Sequence, residues 1–139
     1  MPVQTMTLTL HTRGAADCID ITPEAEQIIA ESDLTAGIVT LFVPGSTAAL
    51  TTIEFEPGAL KDFQRLFEEI SAKDRDYDHN ERWGDGNGHS HVRAALLGPS
   101  LTIPFADSKL LLGTWQQILF IDFDNRPRDR TIIAQVMGE

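Results

Sequence analysis

At 139 residues the chain has the length of one ordinary domain and little room for two. Hydrophobic residues make up 42%, which supplies a core and excludes a disordered chain. With 11 Lys and Arg against 21 Asp and Glu, the net charge is −10. That balance argues against nucleic acid and anionic lipid as partners, yet leaves room for a small phosphorylated ligand in a local positive pocket.

The single cysteine, Cys18, has no internal disulfide partner and suits a reducing compartment. Met1 to Leu10 lacks a basic start followed by an apolar run. The apolar stretches are far shorter than the ~20 residues that span a bilayer. The expectation is a cytoplasmic protein.

Val3 to Thr12 alternates Leu with Thr, a strand pattern punctuated by Gly14. Cys18 to Ile21 reads as a short second strand. Thr22 is placed to cap a helix with Pro23 at its first position, Glu24 and Glu26 in its first turn, an Ile28/Ile29 stripe and an end near Ser32. GIVTLFVP from Gly37 is a continuous apolar run and predicts a buried central strand. Ser46 to Glu56 predicts another strand, and Pro57–Gly58 a turn. Leu60, Phe63, Leu66, Phe67 and Ile70 recur at helical spacing, predicting a helix over Ala59 to Ser71.

Ala72 to Gly88 reads as a long irregular segment, a length of loop that is often functional. Asn87 can cap the next helix, in which Val92, Ala95 and Leu96 are expected to face the core, with Gly98 and Pro99 ending it. The last third predicts a β-meander: Leu101 to Phe105, Leu110 to Leu112, Trp115 to Phe123 and Arg130 to Met137. The economical fold is α+β, mainly antiparallel sheet with about three helices, in one domain over 1–139.

Four clusters can carry chemistry. His79, His89 and His91 fall within thirteen residues, and three imidazoles with an open position make a catalytic zinc arrangement. On a strand His89 and His91 share a face, whereas on a helix they diverge by roughly 200°. Solvated loop histidines are the even alternative. Glu54, near Thr51 and Thr52, is placed to act as a general base or ligand, although an ordinary surface acid is the commoner outcome. Ser46 and Thr47 can donate to an anion or satisfy a turn. Trp115 and Gln116 can stack on and hydrogen-bond a planar ring, against the commoner core tryptophan. RPRDR places Arg126, Arg128 and Arg130 where alternate arginines can grip phosphate, or pair with Asp124 and Asp129 in a solvated turn. Asp85 and Asn87 can meet Mg²⁺.

The segments VPGSTAALTTIEFEPG (Val43 to Gly58), YDHN (Tyr77 to Asn80), NGHSHVRAALLGPSLTIP (Asn87 to Pro104) and LLLGTWQQILFIDFDNRPR (Leu110 to Arg128) resemble, in order, the YjbQ-like family. The likeness is loose before Gly37 and close after it. It implies an α+β fold that tends to trimerise, and a thiamine-phosphate synthase activity found in some members. That reaction joins a pyrimidine diphosphate to a thiazole phosphate and releases pyrophosphate. The resemblance carries site roles onto His79, His89, His91, Glu54, Trp115 and Gln116. One departure is Gly45, where many members have histidine.

The functional expectation is a metal-dependent enzyme of phosphate or pyrophosphate chemistry with weak thiamine-phosphate synthase activity. Glu54, His79 and His89 would be catalytic. Ser46, Thr47, Trp115, Gln116, Arg126 and Arg128 would bind substrate. His79, His89 and His91 would hold zinc, or Mg²⁺ with a pyrophosphate substrate. The alternatives are a non-catalytic metal- or phosphometabolite-binding trimer, and a purely structural role for the polar clusters at subunit contacts.

Overall fold

A computed structural model describes residues 1–139. In chain order the elements are β1 (Val3–Thr12), β2 (Asp17–Asp20), α1 (Thr22–Ser32), β3 (Gly37–Phe42), β4 (Ala48–Ile53), α2 (Pro57–Ile70), α3 (Asp78–Trp83), α4 (Gly88–Leu97), β5 (Ser100–Ala106), β6 (Lys109–Leu110), β7 (Gln117–Asp122) and β8 (Arg128–Gly138). The fold is α+β with wholly antiparallel pairing, as the sequence predicts. Four helices form rather than three, because α3 folds inside the segment expected to be irregular.

Two sheets divide the strands: a five-stranded sheet ordered β1-β8-β3-β5-β6 and a three-stranded sheet ordered β2-β7-β4. The larger core lies between them, closed at the side by α1. Val39, Leu41, Ile132, Ala134 and Val136 meet Leu50, Ile118 and Phe120 there, with Ile28 and Ile29 from α1. A second core lies on the other face of the small sheet. Leu119, Ile121 and Phe123 pack there under Phe67 of α2 and Ala94 of α4.

The strand buried on both faces is therefore β7, not β3. Its successive side chains enter alternate cores, so the run ILFIDF is apolar without alternation. Each of Ile118, Leu119, Phe120 and Ile121 is fully buried and contributes about 1.5–3 kcal/mol. β3 is central in its sheet but has one open face, which leaves Ile38 and Phe42 partly exposed. The expected meander does not form: β7 leaves the first sheet to pair with β2 and β4, and β8 returns to lie between β1 and β3.

Helix starts also differ from expectation. Thr22 is not a cap. The helix begins at that residue, and its hydroxyl instead accepts from the Ile118 amide at 2.8 Å. Pro57–Gly58 is the first turn of α2, not a separate turn. The Glu56 carboxylate caps it, accepting from the Gly58 and Ala59 amides at 2.8 and 2.7 Å. These bonds hold the Glu56 carboxyl below its ordinary pKa.

Helix α4 turns the other face inward. Val92, Ala95 and Leu96 point to solvent, while Ser90, Arg93 and Ala94 are buried. Two of the inward polar side chains, Ser90 and Arg93, find partners, whereas the buried His89 Nδ1 has none. Ser90 Oγ donates to the Phe123 carbonyl at 2.6 Å. Arg93 donates to the Ser71 carbonyl at 2.9 Å and to Glu68 at 2.7 Å. Polar groups with such partners are stable inside a core.

Candidate functional site

The buried carboxylates Asp122 and Asp124 organise one end of the small sheet. β7 ends there, β4 begins there just after Thr47, and β8 starts with Arg128 and Arg130. Asp122 accepts from Thr12 Oγ1 (2.6 Å), Arg130 Nε (2.7 Å), Arg130 Nη2 (2.9 Å) and the Asp124 amide (3.0 Å). Asp124 Oδ2 accepts from Thr47 Oγ1 (3.0 Å) and Asn87 Nδ2 (3.1 Å) and pairs with Arg128 Nη2 at 3.1 Å. Burial pushes the Asp124 pKa up, but the bonds from Asn87, Arg128 and Thr47 outweigh it and hold the carboxyl below its ordinary value. The Asp122 hydrogen bond raises the Arg130 pKa above its ordinary value against the cost of burial.

The arginines of RPRDR thus separate. Arg128 and Arg130 join a largely buried network with Asp122 and Asp124, and of the two alternatives the solvated turn is not what forms. Arg126 is exposed; only its backbone amide engages Asp124, at 3.2 Å. Asn87 gives no side-chain cap to α4. Its Oδ1 accepts from Ser90 Oγ at 2.5 Å and from the Asn125 amide at 3.2 Å, tying the start of α4 to the end of β7.

The histidines divide in the same region. His79, in the first turn of α3, packs against His91 of α4 with ring centroids 4.4 Å apart and the rings tilted by 43°. His79 Nδ1 is buried without a hydrogen bond. Asp85 Oδ1 lies 3.4 Å away, within ion-pair range but not aligned to accept. Gly88 makes this approach of α3 and α4 possible, since a Cβ there would stand 2.5 Å from Tyr77 Cβ. His89 is not part of the pair. Both residues lie in regular helix, so they point to different sides, and His89 is buried at 2% exposure beside Ser90 Oγ, 3.3 Å from Nε2. No three His, Cys, Asp or Glu side chains gather closely enough to hold a metal ion by themselves.

The remaining candidates lie at the opposite end of β4. Register pairs Ala48 with Asp122 and Ile53 with Gln117, so Glu54, Trp115 and Gln116 stand about 20 Å from Thr47. Glu54 is exposed, and Trp115 is 72% exposed rather than in the core. Gln116 donates to Thr52 Oγ1 at 3.1 Å and lines a groove of about 350 Å³ with Leu50, Leu97, Thr102 and Leu111. At the histidine end, Gly45, Ser46 and His91 line a second cavity of about 360 Å³.

The model of the family described as UPF0047 protein YjbQ-like matches residues 6–139. The chain belongs to the UPF0047 YjbQ-like family. A UPF0047 protein of Archaeoglobus fulgidus is 38% identical over 132 residues, covering 95% of this chain and all of its relative. UPF0047 protein YugU of Bacillus subtilis is 35% identical, covering 95% and 98%. Among solved structures, a hypothetical protein from Aeropyrum pernix K1 superposes with a TM-score of 0.91 at 31% identity, covering 98% of this chain and 99% of that one. A YjbQ/UPF0047 family protein from Clostridium acetobutylicum gives 0.87 at 34% identity, covering 95% and 99%.

For this YjbQ-like chain, sequence reasoning missed Asp122 as an organiser of the site and the inward aim of Arg130. Asp122 sits inside an apolar run next to the basic cluster. A lone acid in a strand buried on both faces is the signal that was available, because such a charge persists only when paired.

His89 carries a pH prediction. Burial, reinforced by the Arg93 and Lys73 charges, lowers its pKa against the opposing pull of Glu68 and the Gly86 carbonyl. The folded pKa is depressed, so its contribution is complete above the unfolded value of about 6.5 and is lost as pH falls below it. Urea unfolding from pH 8 to 5 is expected to show that loss with a slope of at most about 1.4 kcal/mol per pH unit. His89→Gln is expected to flatten the curve between pH 6.5 and 5. A wild-type curve already flat there would refute the assignment.

Proposed function

We propose that this YjbQ-like protein is a metal-assisted enzyme of phosphate or pyrophosphate chemistry, with weak thiamine-phosphate synthase activity as the specific version. The observation that carries the reading is the close-packed His79–His91 pair, with the buried unpartnered His79 Nδ1 beside Asp85. An imidazole nitrogen left without a partner fits a metal ligand, and neutral imidazoles are what zinc selects. Mg²⁺ would draw on Asp85 together with a pyrophosphate substrate. Such a cation supplies charge neutralisation for a departing phosphate or pyrophosphate. Ser46 at the cavity rim and Arg128 supply donors to the phosphate. His89 keeps a positioning role, packed under α4 with Tyr77.

Metal content of tag-free protein, read by mass spectrometry, tests this directly. The expected result is a stoichiometric divalent ion in wild type and in His89→Ala, lost in both His79→Ala and His91→Ala. No metal in wild type, or full retention in both pair variants, would remove the metal from the reading.

One observation favours a second reading, a non-catalytic metal- or phosphometabolite-binding trimer. Glu54, the base expected from the sequence, stands at the far end of β4 from the His91 cavity, about 20 Å along the strand from Thr47. The enzymatic reading meets this with a homotrimer in which the Glu54–Trp115–Gln116 end of one copy approaches the histidine end of the next. Exposed Val92, Leu96, Leu111 and Trp115 supply apolar surface for such packing. Pyrophosphate release from the two thiamine precursors distinguishes the readings; saturable metabolite binding without product supports the second.

A further inference from the structure

We infer that Arg130, reached across the bare backbone of Gly45, forms an oxyanion site for the terminal phosphoryl group of a small ligand. The inference deepens the proposed phosphate chemistry and rests on it for the ligand's class, but it does not depend on the metal.

A guanidinium has five N–H donors. In Arg130, Nε and one Nη2 hydrogen go to Asp122, and the other Nη2 hydrogen goes to Thr47 Oγ1 at 2.6 Å. Nη1 makes no hydrogen bond, and it is not among the atoms sealed from solvent. Its two hydrogens are the free edge of a guanidinium whose other edge Asp122 locks in place. Held in this way, the group loses little rotamer freedom when it meets an acceptor.

Gly45 decides what reaches that edge. A Cβ there would stand 3.3 Å from Nη1, with only Val43 Cγ1 otherwise within 4 Å. The absence of a side chain therefore leaves open the space over the guanidinium. Gly45 also borders the 360 Å³ cavity that carries Ser46 and His91, so the bare position lies between that cavity and Nη1. Gly45 has no left-handed backbone angle demanding glycine, and its amide bonds only to Val43 O. Its conformation is open to other residues, so the bare position is a property of the site rather than of the turn.

A second charge on the same strand points the same way. Arg128 lies two residues earlier in β8, on the same face; its Nη2 pairs with Asp124 and its Nε is sealed from solvent. Two neighbouring arginines place positive charge here, and Arg130 Nη1 is the reachable donor still short of an acceptor. A tetrahedral phosphoryl oxyanion offers several. A carboxylate offers fewer, and it would compete less well.

The test uses metal-stripped protein and inorganic phosphate and pyrophosphate as probes, read by isothermal titration calorimetry. Wild type is expected to bind saturably, with pyrophosphate preferred over acetate. Gly45→Leu, which covers Nη1, is expected to weaken binding by at least about tenfold, the loss of one charge-assisted hydrogen bond. Gly45→Ala is expected to fall between, and both variants are expected to keep the wild-type thermal midpoint. Arg130→Lys keeps the charge but removes the second edge, and it is expected to lose the pyrophosphate preference. Absence of saturable binding in wild type would overturn the site, and so would unchanged affinity in Gly45→Leu. Because the protein is metal-stripped throughout, these outcomes are separate from failure of the histidine pair to hold metal.

Discussion

Asp122→Ala is expected to lower the unfolding free energy by about 3–5 kcal/mol, the cost of leaving a buried charge without its partner. Asp122 is fully buried and is the bidentate anchor of Arg130, whose side chain is only 14% exposed. Removing the carboxylate strands that guanidinium. The next carboxylate oxygen is Asp124 Oδ2, 3.7 Å away and already engaged with Thr47, Asn87 and Arg128. Thr12 Oγ1 also loses its 2.6 Å acceptor, loosening the end of β1 against β7. Asp122→Asn keeps the shape and one acceptor oxygen and is expected to cost less. The exposed pair His11–Asp129 on the neighbouring β1–β8 ladder serves as the contrast. Asp129→Ala is expected to leave the urea midpoint unmoved, since exposed pairs contribute little. Urea titration with unchanged m-values reads all three. An Asp122→Ala loss below about 1 kcal/mol would mean that the network is not what holds this end of the sheet together.

Local pattern and long-range pairing differ in how far the sequence exposes them. The α1 stripe of Ile28 and Ile29 and the span of β1 follow from residues adjacent in the chain, and both form where periodicity places them. The two-sided burial of β7 depends on β2 and β4 arriving from far earlier in the chain. The apolar residues of ILFIDF and of GIVTLFVP suit either environment, and the charged Asp122 is what sets the two runs apart. The same limit explains α4. Hydrophobicity alone turns Val92 and Leu96 inward, but Ser90 and Arg93 take that face because Phe123 O and Ser71 O wait there. Those acceptors become visible only after β7 and α2 are placed.

The site divides along the same line. HxH spacing names the histidines but not their side. Once Gly88 starts a regular helix, His89 and His91 must part, and the partner of His91 becomes His79 from α3. Likewise RPRDR names three arginines, and the buried aspartates at the end of β7 decide that two turn inward and one does not. Glu54 and Thr47 are seven residues apart in sequence yet stand at opposite ends of one strand. Closeness in sequence within an extended segment means separation in space.

That separation sets the most demanding expectation of the proposed trimer. Glu54→Gln and His91→Ala chains are each expected to lose about 100-fold or more of pyrophosphate release, the range typical for a lost general acid–base group. Mixed after partial denaturation and refolded together, they are expected to regain a readily measured fraction of wild-type rate. In some mixed assemblies an intact Glu54 end meets an intact histidine end. The double variant Glu54→Gln/His91→Ala mixed with wild type provides the control, because its chains carry neither intact half and can complete no site with any partner. If each site lay within one chain, no mixing ratio would raise the rate above the sum of the two parents. The strand geometry makes that outcome hard to reconcile with any role for Glu54. A carboxylate at the far end of β4, about 20 Å along the strand from Thr47 and the His91 cavity, cannot share a hydrogen bond or a metal with the imidazoles. Failure of complementation would therefore move Glu54 out of the chemistry and leave the His79–His91 pair, with Arg128 and Arg130, as the whole of the site.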